Sequence, residues 1–321
     1  MKPRYVVTGV VLVAIIAFGL HYWFESRFLN DQLYKTQWIL NKKNTQQDYV
    51  VMGASHAYVG FDIGVADSLS ASRGINLSLD GSLIGTQCVL ADLYFNRNQN
   101  KAKYVLFCID NPSAINTEVL SDIGDGRMMP YLSYPEVFSF YKPYGVKWYF
   151  DRYVPFWKYA EYNYYWGPHV FLNTWFNYMK PDYDTISGSR YDYGHAYDNS
   201  DTLLVDVSFD LDKANSEYRY FKHAIKACRD NGVQPILFTL PLGRADTSAT
   251  ARKNVETFTA WAKQQGMEYI YLGDYLNYQF DYYGTKGHLN KKGAELTTAK
   301  LMQEILRKGL MTPASSVAAN P

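Results

Sequence analysis

From Tyr49 onward, short apolar runs alternate with segments in which apolar positions return every three or four residues. The runs read as strands over Tyr49–Met52, Ile75–Leu79, Tyr104–Ile109, Ile236–Leu240 and Tyr269–Leu272, short enough and flanked by enough turn residues to be buried β-structure. Between them, Ile84, Cys88, Ala91 and Phe95 share one helical face, and Phe221, Ala224, Ile225 and Cys228 share another. Val255, Phe258 and Ala262 make a third stripe that stops at Gly266, and Ala294, Leu301, Met302 and Ile305 make the last, which stops at Gly309. This rhythm predicts an α/β fold, a three-layer α/β/α sandwich around a mainly parallel sheet.

The rhythm breaks between about residues 113 and 215, where Tyr, Trp and Phe are dense, as in Tyr162–Trp166 and Tyr191–Tyr197. This segment reads as an aromatic-rich insertion packed over the carboxyl ends of the strands, where open α/β sheets bind ligands. No repeat of fixed period is present. The last residues, 312–321, are small and polar and read as a disordered tail.

The amino-terminal pattern is different in kind. After Lys2 and Arg4, no formally charged residue occurs from Tyr5 to Phe24, and about 20 residues at ~1.5 Å each span a bilayer core. The segment ends in the bulky run Leu20–Phe24 rather than in a small-x-small cleavage site, which favours a transmembrane signal anchor over a removed signal peptide. With the basic residues before the span, the charge asymmetry puts residues 1–4 in the cytoplasm and the chain beyond about Ser26 outside. The expected organisation is therefore a span over 5–24, a tether over 25–47, a catalytic-type domain over 48–311 and the tail. A processed signal stays open as the other reading.

Composition narrows the function classes. The chain has 321 residues, 47% of them hydrophobic, and a formal net charge of +1, enough for one large domain or a domain plus insertion. No basic block offers the electrostatic footprint of a nucleic-acid binder. The three cysteines, Cys88, Cys108 and Cys228, lie in apolar stretches and read as core residues, with a Cys108–Cys228 bridge left open. His169, His195 and His223 have no partner at ligand spacing, so neither a structural metal nor a cofactor is predicted. Asn76-Leu77-Ser78 matches a glycosylation sequon but falls in a predicted buried strand.

Two short motifs carry candidate chemistry. Gly53-Ala54-Ser55-His56 follows the first strand, so Ser55 would stand between a strand end and a helix start, where backbone N–H groups face a developing oxyanion. The competing reading makes Ser55 an ordinary helix N-cap. Gly287-His288-Leu289-Asn290 precedes the last helix and offers an imidazole as base, against the reading of a surface histidine beside an Asn290 cap. His56, next to Ser55, is expected to point away from it.

Gly53–His56, Asn76–Gly81, Phe107–Pro112 and His288-Leu289-Asn290 with Gly293, in this order, resemble the SGNH/GDSL hydrolase superfamily. More narrowly, they resemble its membrane-anchored extracytoplasmic branch related to polysaccharide O-acetylation proteins. The resemblance spans about residues 48–310 and implies a flavodoxin-like sandwich. It implies Ser55 as nucleophile, Ser55, Gly81 and Asn111 as oxyanion donors, and His288 as base. Asp110-Asn111-Pro112 stands where the family often has Gly-x-Asn-Asp. Thr285 stands where the family has an aspartate three residues before the histidine, and Asp281 is the nearest acid that a longer loop would bring to the ring. Loss of such an orienting acid costs on the order of 10⁴ in rate.

The implied activity is that of a serine esterase or O-acyltransferase on acyl groups, acetyl above all, of a bacterial envelope or secreted polysaccharide. A membrane-embedded acyl donor protein is the implied partner. Aromatic faces in the insertion would stack on sugar rings, or else form an ordinary core. The alternative is a noncatalytic glycan-binding or assembly protein that keeps the fold, with Thr285 marking the loss.

Overall fold

The structure is a computed structural model describing residues 3–99, 101–110, 126–161, 172–173, 175–190, 216–243, 245, 247–285 and 287–313. The aromatic runs at 162–166 and 191–197, together with Asn111, His169, His195 and the tail from residue 314, lie outside the described residues. The chain divides into two compact units, the first formed by Met1–Asn41 with Ile123–Pro181 and the second by Lys42–Asp122 with Asp182–Pro321.

The first unit opens with α1 (Pro3–Leu29) and α2 (Lys35–Asn41), and continues through α6 (Pro135–Tyr141), α7 (Lys147–Tyr153) and α8 (Trp157–Glu161), with a 3-10 turn at Gly126–Tyr131. Helix α1 is long and apolar enough to cross a membrane, with a mean hydropathy of 2.1 over an 18-residue window. The expected tether over 25–47 is not loose: α1 runs unbroken to Leu29, and Phe24, Phe28 and Trp38 are buried with Tyr131, Tyr141 and Tyr159. The reason is visible in the ring contacts, Phe24 and Phe28 each meeting Tyr159 at 5.2 and 5.8 Å between centroids. Large rings bury enough apolar area to order a short segment.

The second unit carries the predicted sheet. Its strands are β1 (Tyr49–Met52), β2 (Gly74–Asn76), β3 (Tyr104–Cys108), β4 (Gln234–Thr239) and β5 (Tyr269–Tyr271). They form one parallel sheet in the order β2-β1-β3-β4-β5. The helices are α3 (Ser55–Gly60), α4 (Ile63–Ser70), α5 (Ile84–Arg97), α9 (Ser216–Asp230), α10 (Ala249–Gln264) and α11 (Lys291–Arg307). Strand β2 stops three residues earlier than the apolar run because the Asn76 side chain turns the chain, its Oδ1 accepting from the Ser78 N–H at 2.9 Å.

Periodicity explains the layers. Tyr49, Val51, Leu106, Ile236, Phe238 and Ile270 face one side of the sheet and pack with Ala57 and Phe61 of the α3 region, Ala66 of α4, and Leu301, Met302 and Ile305 of α11. On the other side, Phe107 meets Phe221 of α9 at 5.9 Å, and Tyr269 meets Phe258 of α10 at 4.8 Å. Both faces are covered, which is why the strands read as continuous apolar runs. All three cysteines are free and buried, so no Cys108–Cys228 bridge forms. Asn76 is fully buried, and its amide donates to the Ala57 carbonyl at 2.8 Å, which leaves no room for a glycan on the sequon.

Leu301 is fully buried in α11, whereas Leu296 on the same helix is 38% exposed. Leu301→Ala is expected to lower unfolding stability by about 2–5 kcal/mol, and Leu296→Ala to stay within about 0.5 kcal/mol of wild type. Chemical denaturation midpoints of the two variants check this.

Candidate active site

In the order β2-β1-β3-β4-β5, the connections from β1 and β3 leave toward opposite edges, so a crevice opens at their carboxyl ends. The chain fills that crevice with chemistry. Ser55 and His56 follow β1, and Asp110 follows β3. Gly53 makes the approach of the two strand ends tight: a Cβ there would lie 2.7 Å from the Cys108 Cβ and 2.9 Å from the Ala57 Cβ. No real side chain fits that gap.

Ser55 is the first residue of α3 and is half-buried. It is not the N-cap. That position is held by Ala54, whose carbonyl accepts from Tyr58 N–H at 3.0 Å and which has no capping side chain. The Ser55 hydroxyl is therefore not spent on closing the helix. Gly81, the implied oxyanion donor, lies in an exposed turn past β2 with φ +56°. Its loop is held against the end of β1, since the Leu79 N–H and the Ser82 hydroxyl both donate to the Gly53 carbonyl, at 3.2 and 3.3 Å. Asn111 lies outside the described residues.

His288 is carried by a small antiparallel hairpin, β6 (Tyr283–Thr285) with β7 (His288–Leu289), that no sequence period announced. Tyr283 and Leu289 pin the hairpin by packing with Leu276 and Ala294. The Tyr283 hydroxyl also accepts from the Gly243 N–H at 3.0 Å. Asn290 caps α11 as expected, accepting from Gly293 N–H at 3.0 Å, and donates to the Asp281 carbonyl at 2.8 Å. Asp281 itself lies on a 3-10 turn with an exposed side chain.

His56 has neighbours that its place in the sequence did not announce. Its ring lies 5.1 Å from the His288 ring, tilted by 35°. Its Nδ1 lies 3.2 Å from Asp110 Oδ2, and its Nε2 faces Gly287, whose backbone hydrogen-bonds the ring. Nδ1 makes no hydrogen bond of good geometry there, so charge attraction dominates the contact. Burial opposes a charge on His56, but the Asp110 carboxylate and the Gly287 carbonyl outweigh it and raise the pKa above its ordinary value of 6.5. Gly287 takes a left-handed φ of +73°, which lets the chain turn over the ring. Among the described residues, the carboxylate beside the histidine pair is Asp110 rather than Asp281.

Asp110 has a second neighbour, the Cys108 thiol, which donates to Oδ1 at 3.8 Å. Burial first, then the Asp110 charge, push that thiol well above its usual range, so it stays protonated. Elsewhere in this unit, Cys88, Asp92 and His223 bring three potential metal-ligand atoms within 4.8 Å of one another. They sit on α5 and α9, so sequence spacing could not reveal the grouping. The His223 Nε2 contact with both Asp92 oxygens at 3.1 Å accounts for the arrangement as an ion pair. A polar hollow of about 700 Å³ beside α4 and β2 is lined by Asp62, Asp67, Arg73, Lys291 and Glu295 and contains none of the crevice residues.

No protein-family model and no curated protein matches the sequence. Among solved structures, the chain is similar to a candidate lipolytic protein of the G-D-S-L family from Desulfitobacterium hafniense DCB-2, with 12% identity over 80% of this chain and 98% of that one, and a TM-score of 0.38. It is also similar to a candidate acylhydrolase from Bacteroides fragilis NCTC 9343, with 13% identity over 88% of this chain and 98% of that one, and a TM-score of 0.39. Likenesses of this size carry no weight of their own; the sheet order and the side-chain geometry do.

The His56–Asp110 pair makes stability depend on pH. A histidine whose pKa is raised by folding contributes stability that is fully present below its unfolded value of 6.5 and is lost as pH rises through the higher folded value. The melting temperature of Asp110→Asn should therefore fall furthest below wild type near about pH 6, with the gap narrowing toward about pH 9. Thermal melts of both proteins across that range are the check.

Proposed function

We propose that the chain is a membrane-anchored serine enzyme of SGNH type that removes or transfers acyl groups, with acetyl esters on an extracytoplasmic polysaccharide as its substrates. One observation carries the reading. At the β1/β3 crevice the imidazole of His56 joins the loops that bear Ser55, Asp110 and His288.

In this reading His56 is not the base. Its two ring nitrogens face a carboxylate and a backbone carbonyl, both of which favour a proton on the ring. His288 takes the Ser55 proton as the hydroxyl oxygen attacks the acyl carbonyl, and the N–H groups of Ser55 and Gly81, with the Asn111 amide, receive the oxyanion. Collapse of that intermediate breaks the ester bond, and His288 returns the proton to the departing sugar oxygen. Water or a second sugar hydroxyl then takes the acyl group by the same route in reverse. Asp110 acts through His56 as a positioning residue, holding the Gly287–His288 turn in place. The orienting acid is Asp110 in this arrangement, with Asp281 as the alternative donor of that role.

The anchor fits the substrate class, since polysaccharide esters outside the cytoplasm are met by a domain tethered at the outer face. An acyl donor embedded in the bilayer would be its partner if the reaction is transfer. A second reading, a glycan-binding or assembly protein without catalysis, is favoured by Thr285 at the position of the family aspartate.

Hydrolysis of a small acetyl ester by the full chain in detergent tests this. Ser55→Ala should abolish turnover, and His288→Ala should lower kcat by about 10²–10⁴-fold. Asp110→Asn should lower kcat with KM little changed, while Asp281→Asn should act like wild type. Undiminished turnover in Ser55→Ala would sink the serine mechanism, and loss in Asp281→Asn alone would return the acid role to that residue.

A further inference from the structure

The first unit carries a second population of aromatic residues that its core does not use. Phe150 of α7, Trp157 of α8 and Trp175 and Phe176 are 51%, 51%, 55% and 73% exposed. Ring contacts tie part of this population to one level of α1. Trp175 meets Trp23 at 4.6 Å, and Phe156 meets His21 at 5.0 Å while its N–H donates to His21 Nδ1 at 3.2 Å. Trp157, next in the chain to Phe156, meets Phe150 at 6.5 Å. Trp175 and Phe156 therefore meet the helix at residues 21–23, a rise of only ~3 Å, with Trp157 and Phe176 next to them in the chain and Phe150 against Trp157.

Polarity changes on both sides of that level. Toward the amino terminus, α1 exposes apolar side chains from Tyr5 through Leu20. About one turn beyond, Ser26, Arg27, Asn30 and Asp31 line a polar hollow with Asn173 and Asn177. The Arg27 guanidinium lies 5.6 Å from the Trp23 ring centroid. Apolar surface, then Trp and Tyr, then polar and basic groups is the order a protein shows across a bilayer interface.

We infer that this aromatic band is a lipid-contacting seat: Phe150, Trp157, Trp175 and Phe176 enter the headgroup and upper acyl region of the membrane that α1 spans. A sugar ligand would leave no reason for the band to be continuous with the lipid-facing surface of α1. The contact with Trp23 supplies that continuity. The inference rests on α1 crossing the membrane and is independent of the esterase chemistry.

Spin labels test it in the full chain, purified and placed in vesicles of phosphatidylethanolamine and phosphatidylglycerol. Single labels go at Phe150→Cys and Phe176→Cys, with Val13→Cys in the span and Ile186→Cys, 82% exposed in the other unit, as references. Lipid contact makes the oxygen-to-nickel-chelate accessibility ratio at 150 and 176 several-fold higher than at 186 and lower than at 13. Ratios equal to that at 186, with 13 still lipid-exposed, overturn the seat and leave the anchor standing. Shielding from both relaxants at 150 and 176 places the band against protein and overturns it equally. An aqueous ratio at 13 removes the anchor and the seat together.

Discussion

The site depends on one contact, the imidazole of His56 against the carboxylate of Asp110. A parallel sheet delivers strand ends to one edge, but at the β1/β3 switch the chain leaves those ends in opposite directions. Loops that diverge have no backbone ladder to hold them, so a side chain must. His56 does this at 3.2 Å from Asp110, and through Gly287 it also holds the turn before His288. The bare Cα of Gly53 is the steric half of the arrangement, because it leaves room for the Cys108 side chain on the neighbouring strand end.

The same contact sorts the nucleophiles. Asp110 lies between an imidazole and a thiol, and its negative charge raises the pKa of both, favouring a proton on the first and suppressing ionisation of the second. Cys108 stays a buried thiol, while Ser55 at the same crevice is half-buried. Position also separates Asp110 from Asp281 in its pull on a histidine. Its side chain is 30% exposed beside a partly buried ring, whereas the Asp281 carboxylate stands in water, where screening weakens any pull on a histidine.

The sheet was legible because five apolar runs and four helical stripes each pointed to the same architecture. Ser55 and His288 were legible as motif residues because each borders an element whose period is strong. His56 and Asp110 were not, since their partnership comes from strand order: β1 and β3 are neighbours only because β2 lies outside β1. What sequence period could not supply was the β6/β7 hairpin, two and three residues per strand, that brings His288 and Gly287 over the ring.

The aromatic composition of the first unit divides by the same logic of burial. Tyr131, Tyr141 and Trp148 make a core with Phe24 and Phe28, so the end of α1 belongs to a folded body. Lys158, almost wholly buried, binds the Glu25 carboxylate and the Pro130 carbonyl at 3.1 Å, with burial lowering its pKa. Removing Glu25 would leave that ammonium without its counter-charge, at a cost of several kcal/mol or the loss of its proton. Cleavage after Phe24 would strip the core of Phe24 and of the His21 acceptor for Phe156. A large buried ring alone is worth about 3–5 kcal/mol, on the scale of a whole domain's stability. The residues that end the apolar span are thus the residues that begin the fold, and a leader cut there would take part of the fold with it.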